Sequence, residues 1–259
     1  MLRVIALAYL AALLLVPVGM IAYRTFEHGF APVLAALSTG PALHALWLSI
    51  LVTAISVPIC VVFGVGTGLL LARDRIWLRR VVNVLIDLPF AMSPVVIGLA
   101  LFILYGRGGW LGDWLGAHGI RVLFSVPGIV LATTFVALPF VVREIVPVLR
   151  ELGTDQEQAA EMLGASPLRT FWSITLPSVR WALVYGVVLS SARALGEYGA
   201  VSIVSGNVVG QTQTLPLFVE ERFRNFDSVG AYSAGFLLAA ISLVILAAMT
   251  VVHRRKERR

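Results

Sequence analysis

Six stretches of the chain stay apolar for about the length of a membrane-crossing helix, and no other feature limits the fold so strongly. They are Val4–Tyr23, Ala45–Ala72, Val81–Tyr105, Gly128–Val142 with its flanks, Trp181–Val204 and Val229–Val252. A helix needs about 20 largely apolar residues to cross a ~30 Å hydrocarbon core. The runs are continuous rather than alternating, which excludes the strands of a membrane β-barrel. Composition agrees: 59% of the 259 residues are hydrophobic and 13% charged, whereas soluble domains carry roughly a quarter charged residues. The expected fold is all-α and polytopic, with six transmembrane helices. The formal charge of +6 does not indicate a nucleic-acid partner, because the basic residues lie in the gaps between apolar runs. Cys60 is the single cysteine, so no intramolecular disulfide can form.

The fourth run is the weakest, being interrupted by Pro127 and Pro139. The first, following Arg3, also has the outline of a signal peptide. It ends in Met20-Ile21-Ala22-Tyr23 with no A-x-A cleavage site, which favours a retained helix. Three parts are therefore expected: residues 1–43 as a first helix and outer loop, 44–252 as the transmembrane core with a long polar loop at 143–180, and 253–259 as a basic tail.

Basic residues concentrate on the cytoplasmic side of membrane helices. Arg3, the Arg73–Arg80 loop, the Arg143–Arg180 stretch and the tail after His253 fall on one side. Only Arg24, Arg107, Arg121, Arg222 and Arg224 fall on the other. Both termini are expected in the cytoplasm.

The 143–180 loop is the most informative polar segment. Thr154 and Glu157 have capping-box spacing, which predicts a short helix over Asp155–Leu163. Gly164 then supplies the left-handed residue that ends it. Ser166-Pro167 reads as the N-cap and first residue of a second helix, carrying Leu168, Phe171, Trp172 and Ile174 as far as Leu176-Pro177. Such a helix–glycine–helix elbow could lie on lipid headgroups or dock a cytoplasmic partner, and the residues alone favour neither.

Gln158-Ala159-Ala160, Gly164 and Ile174-Thr175-Leu176-Pro177 resemble, in residues and spacing, the "EAA" signature of ABC-importer permease subunits. Gln158 stands where that signature has Glu, keeping reach but losing charge. The resemblance continues through Leu88–Val96, Pro139–Glu144 and the Arg193-Ala194-Leu195-Gly196-Glu197-Tyr198-Gly199-Ala200-Val201 stretch. These look like the sulfate/thiosulfate branch, and W-type permeases within it, over about residues 44–252. The resemblance implies several partners: a dimer of ATP-binding subunits seated on the elbow, a second permease of T-type, an external sulfate-binding protein, and the lipid of a bacterial inner membrane. Gln158, Ala159, Ala160, Gly164, Ile174, Leu176 and Pro177 would then couple to the ATPase. No cofactor is implied. A molybdate/tungstate-type permease is the alternative within the family, and an anion channel without an ATPase is the alternative outside it.

Ionisable residues at bilayer depth cost ~2.5–3.5 kcal/mol each on insertion scales and usually face a cavity or a partner. Arg193 and Glu197 occur in the fifth run, one turn apart, with Arg193 about 18 Å in and near the midplane at 1.5 Å per residue. They form either a self-neutralising structural pair or a gate in which Arg193 offers its guanidinium to a passing oxyanion. Asp87, near the end of the third run, is expected to meet water or the nearby Arg79 and Arg80. Gly64, Gly66 and Gly68 suggest close helix packing, and Pro89 and Pro94 predict kinks in the third span.

Several chemistries are excluded. A Walker A loop needs a lysine after its glycines, and the only lysine is Lys256 in the tail. ATP hydrolysis must then reside on another chain. None of His28, His44, His118 or His253 forms an H-E-x-x-H motif, and Ser190-Ser191 have no histidine in another span to activate them. A channel is disfavoured for dianion uptake, because a negative-inside potential opposes entry by ~2.3 kcal/mol per charge per 100 mV.

Overall fold

The computed structural model describes residues 2–73 and 79–257. Arg75 of the basic loop and the terminal Arg258 and Arg259 lie outside the described residues. Among those described, every regular element is helical. The membrane-length helices are α1 (Leu2–Phe26), α3 (Gly40–Ala72), α7 (Val126–Leu152), α10 (Leu176–Leu195) and α13 (Ser228–Glu257). A short α2 (Phe30–Leu37) joins the first two. The third apolar run forms α4 (Arg79–Ala91) and α5 (Pro94–Tyr105), bent by 113° at their junction. Among the described residues the membrane-length helices number five, and six if this bent pair is taken as one span. Shorter elements are α6 (Gly112–Ala117), α8 (Asp155–Met162), α9 (Pro167–Thr170), α11 (Gly199–Val204) and α12 (Leu215–Arg224).

Two of the expected spans are broken. The third does not merely kink: Met92 and Ser93 leave the helix, and Pro94 opens α5 as a first-turn residue. Proline is compatible with a helix start because its missing N–H has no intrahelical partner there. Pro89 stays inside α4 and is buried. The fifth run ends as a helix at Leu195, and α11 restarts the chain at Gly199. Backbone freed inside a membrane must be satisfied within the protein, and the two breaks meet each other. A Cβ on Gly98 would lie 2.7 Å from the Ala200 carbonyl oxygen, and one on Gly199 would lie 2.9 Å from Pro94 Cβ. Only glycine allows α5 and α11 this approach.

The core is a three-helix crossing of α3, α7 and α10, centred on Val141. A Cβ on Gly64 would meet Val141 Cγ1 at 2.7 Å, and one on Gly186 would meet Val141 Cα at 3.0 Å. Cys60, Ala137, Ile145, Leu149 and Val179 fill the space around this point. Of the glycines expected to pack in the second span, Gly64 and Gly68 face α7, but Gly66 faces open space. Helical periodicity explains the difference, since residues four apart share a face and residues two apart do not. Ser56 donates to the Val130 carbonyl and Ser190 to the Ala137 carbonyl, each at 3.3 Å. These buried hydroxyls are structural ties.

At the end of the bundle away from the polar loop, the segment after α11 folds inward. Thr212, Gln213 and Thr214 are buried. The N–H groups of Gln211, Thr212 and Gln213 converge on the Val208 carbonyl. Gln213 Nε2 also donates to Asn207 Oδ1 at 3.1 Å and to Glu221. The Leu215 N–H reaches Ser49 Oγ of α3 at 2.8 Å. These bonds pair the backbone and the Gln213 amide nitrogen, while Gln213 Oε1 and Thr214 Oγ1 have no hydrogen-bond partner among the described residues.

Substituting Gly98 by Leu should separate α5 from α11 and destabilise the purified protein by about 1–3 kcal/mol, the usual cost of overpacking. Gly66→Leu should leave the unfolding midpoint unchanged. Thermal unfolding in detergent would test the pair.

Candidate functional site

The polar loop projects from the bundle as an elbow. Helix α8 ends at Gly164, whose φ of +82° is the left-handed value. Ser166 then caps α9, its Oγ accepting the Arg169 N–H at 3.4 Å. The second arm does not stop at Leu176-Pro177 as expected. It passes through a π-helical turn, Phe171–Thr175, directly into α10, so that one continuous rod runs from Pro167 to Leu195. The widened turn falls just before Pro177, where the hydrogen-bond ladder must skip a donor. Movement at the elbow is therefore applied directly to a membrane helix.

The expected capping box does not form. Thr154 makes no side-chain cap bond; its hydroxyl instead accepts Gln158 Nε2 at 2.8 Å. Glu157 is drawn away by Arg73, at the end of α3, whose guanidinium lies 2.6 Å from Glu157 Oε1. Thr175 Oγ1 donates to the same oxygen, also at 2.6 Å. Arg73 further donates to the carbonyls of Leu149 and Gly153. One largely buried arginine thus joins α3, the end of α7, the elbow and the π-helical turn. An ion pair removed from water outcompetes a local cap because its charge-assisted bonds are stronger. In sequence Arg73 reads only as one of several loop-side arginines, since its partners lie 76 or more positions away.

The elbow presents apolar side chains outward. Met162 and Leu163 are 84% and 89% exposed, and Leu168 and Trp172 are also exposed. Gln158, Ala159 and Gly164 lie on the exposed surface of the elbow. Ile174 is half-buried behind them, with Leu176 half-buried and Pro177 exposed at the start of α10.

Arg193 and Glu197 form an ion pair. Arg193 occupies the last turn of α10 rather than the middle of a span, and Glu197 lies beyond the helix end, in the break. Glu197 is 2% exposed, and its Oε1 accepts the Ala200 N–H at 2.8 Å, at the start of α11. The carboxylate therefore bridges the two sides of the break, while the Arg193 side chain stays partly open. Asp87 finds its ion partner in Arg143 of α7, which donates from Nε at 3.0 Å, rather than in the neighbouring arginines of its own helix. Away from the elbow, a cavity of 760 Å³ opens beside Arg107 and Arg121.

Residues 64–258 match the model of the "binding-protein-dependent transport system inner membrane component" family. The chain belongs to this family. A sulfate transport system permease protein CysW from Synechocystis sp. is 44% identical over 251 residues, covering 97% of this chain and 91% of the relative. The permease protein CysT of an Escherichia coli (strain K12) sulfate transport system is 34% identical over 254 residues, covering 98% and 92%. Among solved structures, a bacterial ABC transporter involved in alginate import superposes with a TM-score of 0.75 at 15% identity, over 98% of this chain and 94% of that one. At that identity the likeness concerns the fold alone.

Arg73→Ala should loosen the elbow. Loss of a charge-assisted bond costs about 1.5–3 kcal/mol, so amide hydrogen exchange over residues 155–162 should accelerate roughly 10- to 100-fold. Gln158→Ala, which removes only a bond within the elbow, should change it little.

Proposed function

We propose that this chain is the W-type permease subunit of an ATP-driven importer for sulfate or thiosulfate in a bacterial inner membrane. The observation that carries this reading is the exposed apolar elbow, mechanically continuous with α10 and clamped to α3 by Arg73. A sulfate permease relative at 44% identity over nearly the whole chain supports the substrate class. The elbow, from Gln158, Ala159 and Ala160 through Gly164 to Ile174, Leu176 and Pro177, seats in a cleft of a cytoplasmic ATP-binding subunit dimer. Exposed Met162 and Leu163 supply the contact area. The elbow side is cytoplasmic, in accord with the arginine distribution, and both termini lie there.

A T-type permease completes the pathway, and an external binding protein delivers the anion to the opposite mouth. ATP-driven closure of the ATPase pulls on the elbow. The π-helical turn passes the displacement to α10, at whose far end sit Arg193 and the break. Rotation of α10 strains the Arg193–Glu197–Ala200 linkage and shifts α11 against α5. Arg193 then exchanges part of its bond to Glu197 for the passing dianion, so the pair serves as both brace and gate.

Gly164→Pro should abolish sulfate uptake while the protein still inserts, because proline cannot adopt a positive φ. Radiolabelled sulfate uptake in whole cells, with molybdate as competitor, would measure this. Uptake at the normal rate would reject elbow docking, and preference for molybdate would move the substrate to that class. Arg193→Gln should slow uptake about tenfold, equivalent to ~1.4 kcal/mol, with the ATPase still co-purifying. Loss of co-purification instead would make the pair purely structural.

A further inference from the structure

The chain between α5 and α7 lies at the opposite end of α7 from the elbow, and it borders the 760 Å³ cavity beside Arg107 and Arg121. Its backbone is pinned on both sides of that cavity. The Leu111 N–H donates to the Leu104 carbonyl at 3.0 Å and the Ile120 N–H to the Leu115 carbonyl at 2.9 Å. Ser125 Oγ donates to the Arg121 carbonyl at 2.9 Å. Phe124 forms part of the wall with a φ of +56°, a conformation that a bulky residue seldom adopts. Its N–H donates to the Val204 carbonyl at the end of α11 at 2.8 Å, and a Cβ on Gly206 would lie 2.7 Å from its ring. Strain of this kind persists only where the surroundings over-determine it. Here the end of α11 holds the wall in place.

The lining is chemically divided. Phe102, Ile120, Leu123 and Phe124 make an apolar wall, while Arg107 and Arg121 are the charged residues that line the cavity. Neither guanidinium has a hydrogen-bond or ion-pair partner among the described residues. Asp113, the nearest carboxylate in sequence, does not line the cavity. Its Oδ1 accepts the Gly108 N–H at 2.9 Å. Tyr105 lines the cavity, and Trp110 and Trp114 of the same loop are exposed. Tyrosine and tryptophan concentrate at the headgroup level of membranes. An apolar wall beside two unpaired cations matches an amphiphile with an anionic head. A bare inorganic oxyanion would satisfy the guanidinium groups but leave the apolar wall against water. It would also fill only a corner of a space many times the ~30 Å³ share of one water.

We propose that this cavity binds an anionic phospholipid, its phosphate held by Arg107 and Arg121 and its chains laid against Phe102, Leu123 and Phe124. Arginine forks match phosphate oxygens bidentately, and basic pockets between membrane helices take anionic headgroups. The lipid packs on the same Phe124 that is tied to α11, so its binding stabilises the contact between this loop and the α5–α11 pair. The site is independent of which anion the permease carries.

The test uses the complete transporter, purified with its co-assembling subunits and placed in phosphatidylcholine nanodiscs with or without phosphatidylglycerol. Native mass spectrometry measures the lipid retained, and thermal unfolding is followed in both kinds of disc. The parent protein should retain phosphatidylglycerol in preference to phosphatidylcholine and unfold at a higher temperature when it is supplied. Arg107→Gln and Arg121→Gln should each weaken retention about tenfold, as expected for loss of one charged contact, and shrink that rise. Arg24→Gln removes a guanidinium that pairs with Glu27 and does not line the cavity, so it should retain lipid as the parent does. Gly116→Leu tests space rather than charge. A Cβ there meets nothing within 4 Å, so the added side chain takes up cavity volume and retention should fall with both arginines intact. If a glutamine variant unfolds earlier even without phosphatidylglycerol, Gly116→Leu decides. Equal loss from Arg24→Gln would mean only a general attraction between a basic protein and anionic lipid, and overturns the site. Unchanged retention in both arginine variants, or in Gly116→Leu, does the same. Radiolabelled sulfate is added to phosphatidylcholine discs in parallel. Sulfate binding that both glutamine variants abolish would assign the arginines to a free oxyanion and overturn the lipid.

Discussion

Hydrocarbon offers no water to take up a free backbone N–H or C=O, so a membrane helix can break only where protein shields the break. This chain breaks two of its spans, after Ala91 and after Leu195, and each break depends on the other. Gly98 and Gly199 let α5 and α11 approach to backbone contact. Glu197 covers the start of α11 with its carboxylate, and Arg193 neutralises that carboxylate. Remove any of these and a charge or a peptide group in the breaks would lose its partner. The unbroken helices α3, α7 and α10, packed on Val141 through Gly64 and Gly186, form the scaffold that holds the paired breaks in place.

The elbow is joined to this scaffold by a single multidentate side chain. Arg73 reaches the elbow, the end of α7 and, through Glu157, the π-helical turn. The turn is continuous with α10, whose other end carries Arg193. A force applied at Gly164 therefore has a connected mechanical route to the break, through one ion-pair network and one helix. That continuity is the physical argument for reading the molecule as a coupled transport subunit rather than a pore: a pore has no use for an exposed apolar lever tied to its gate.

Much of this was legible from residue order. Apolar length announced the spans, Gly164 and Ser166-Pro167 announced the elbow, and the i, i+4 spacing of Arg193 and Glu197 announced their pairing. These are local signals, set by hydrophobic length, backbone conformation and helical periodicity. What was not legible depends on distant partners. Thr154–Glu157 has the spacing of a capping box, but a distant arginine outbids the cap. Asp87 stays open to water, one of the two surroundings expected for it, and in addition draws Arg143 across two helices. In both cases a long-range partner supplies what local spacing does not show.

Hydrophobic run length thus dictated an all-α polytopic chain, and local spacing dictated where its polar elbow turns, because both depend on interactions within a few residues. Only the tertiary structure decided that two spans are broken back to back, that Arg73 locks the elbow, and that Arg107 and Arg121 share one cavity. Those outcomes depend on which helices come within a few ångströms of each other, and small residues such as Gly98, Gly186 and Gly199 set that distance without revealing in sequence which partner they will meet.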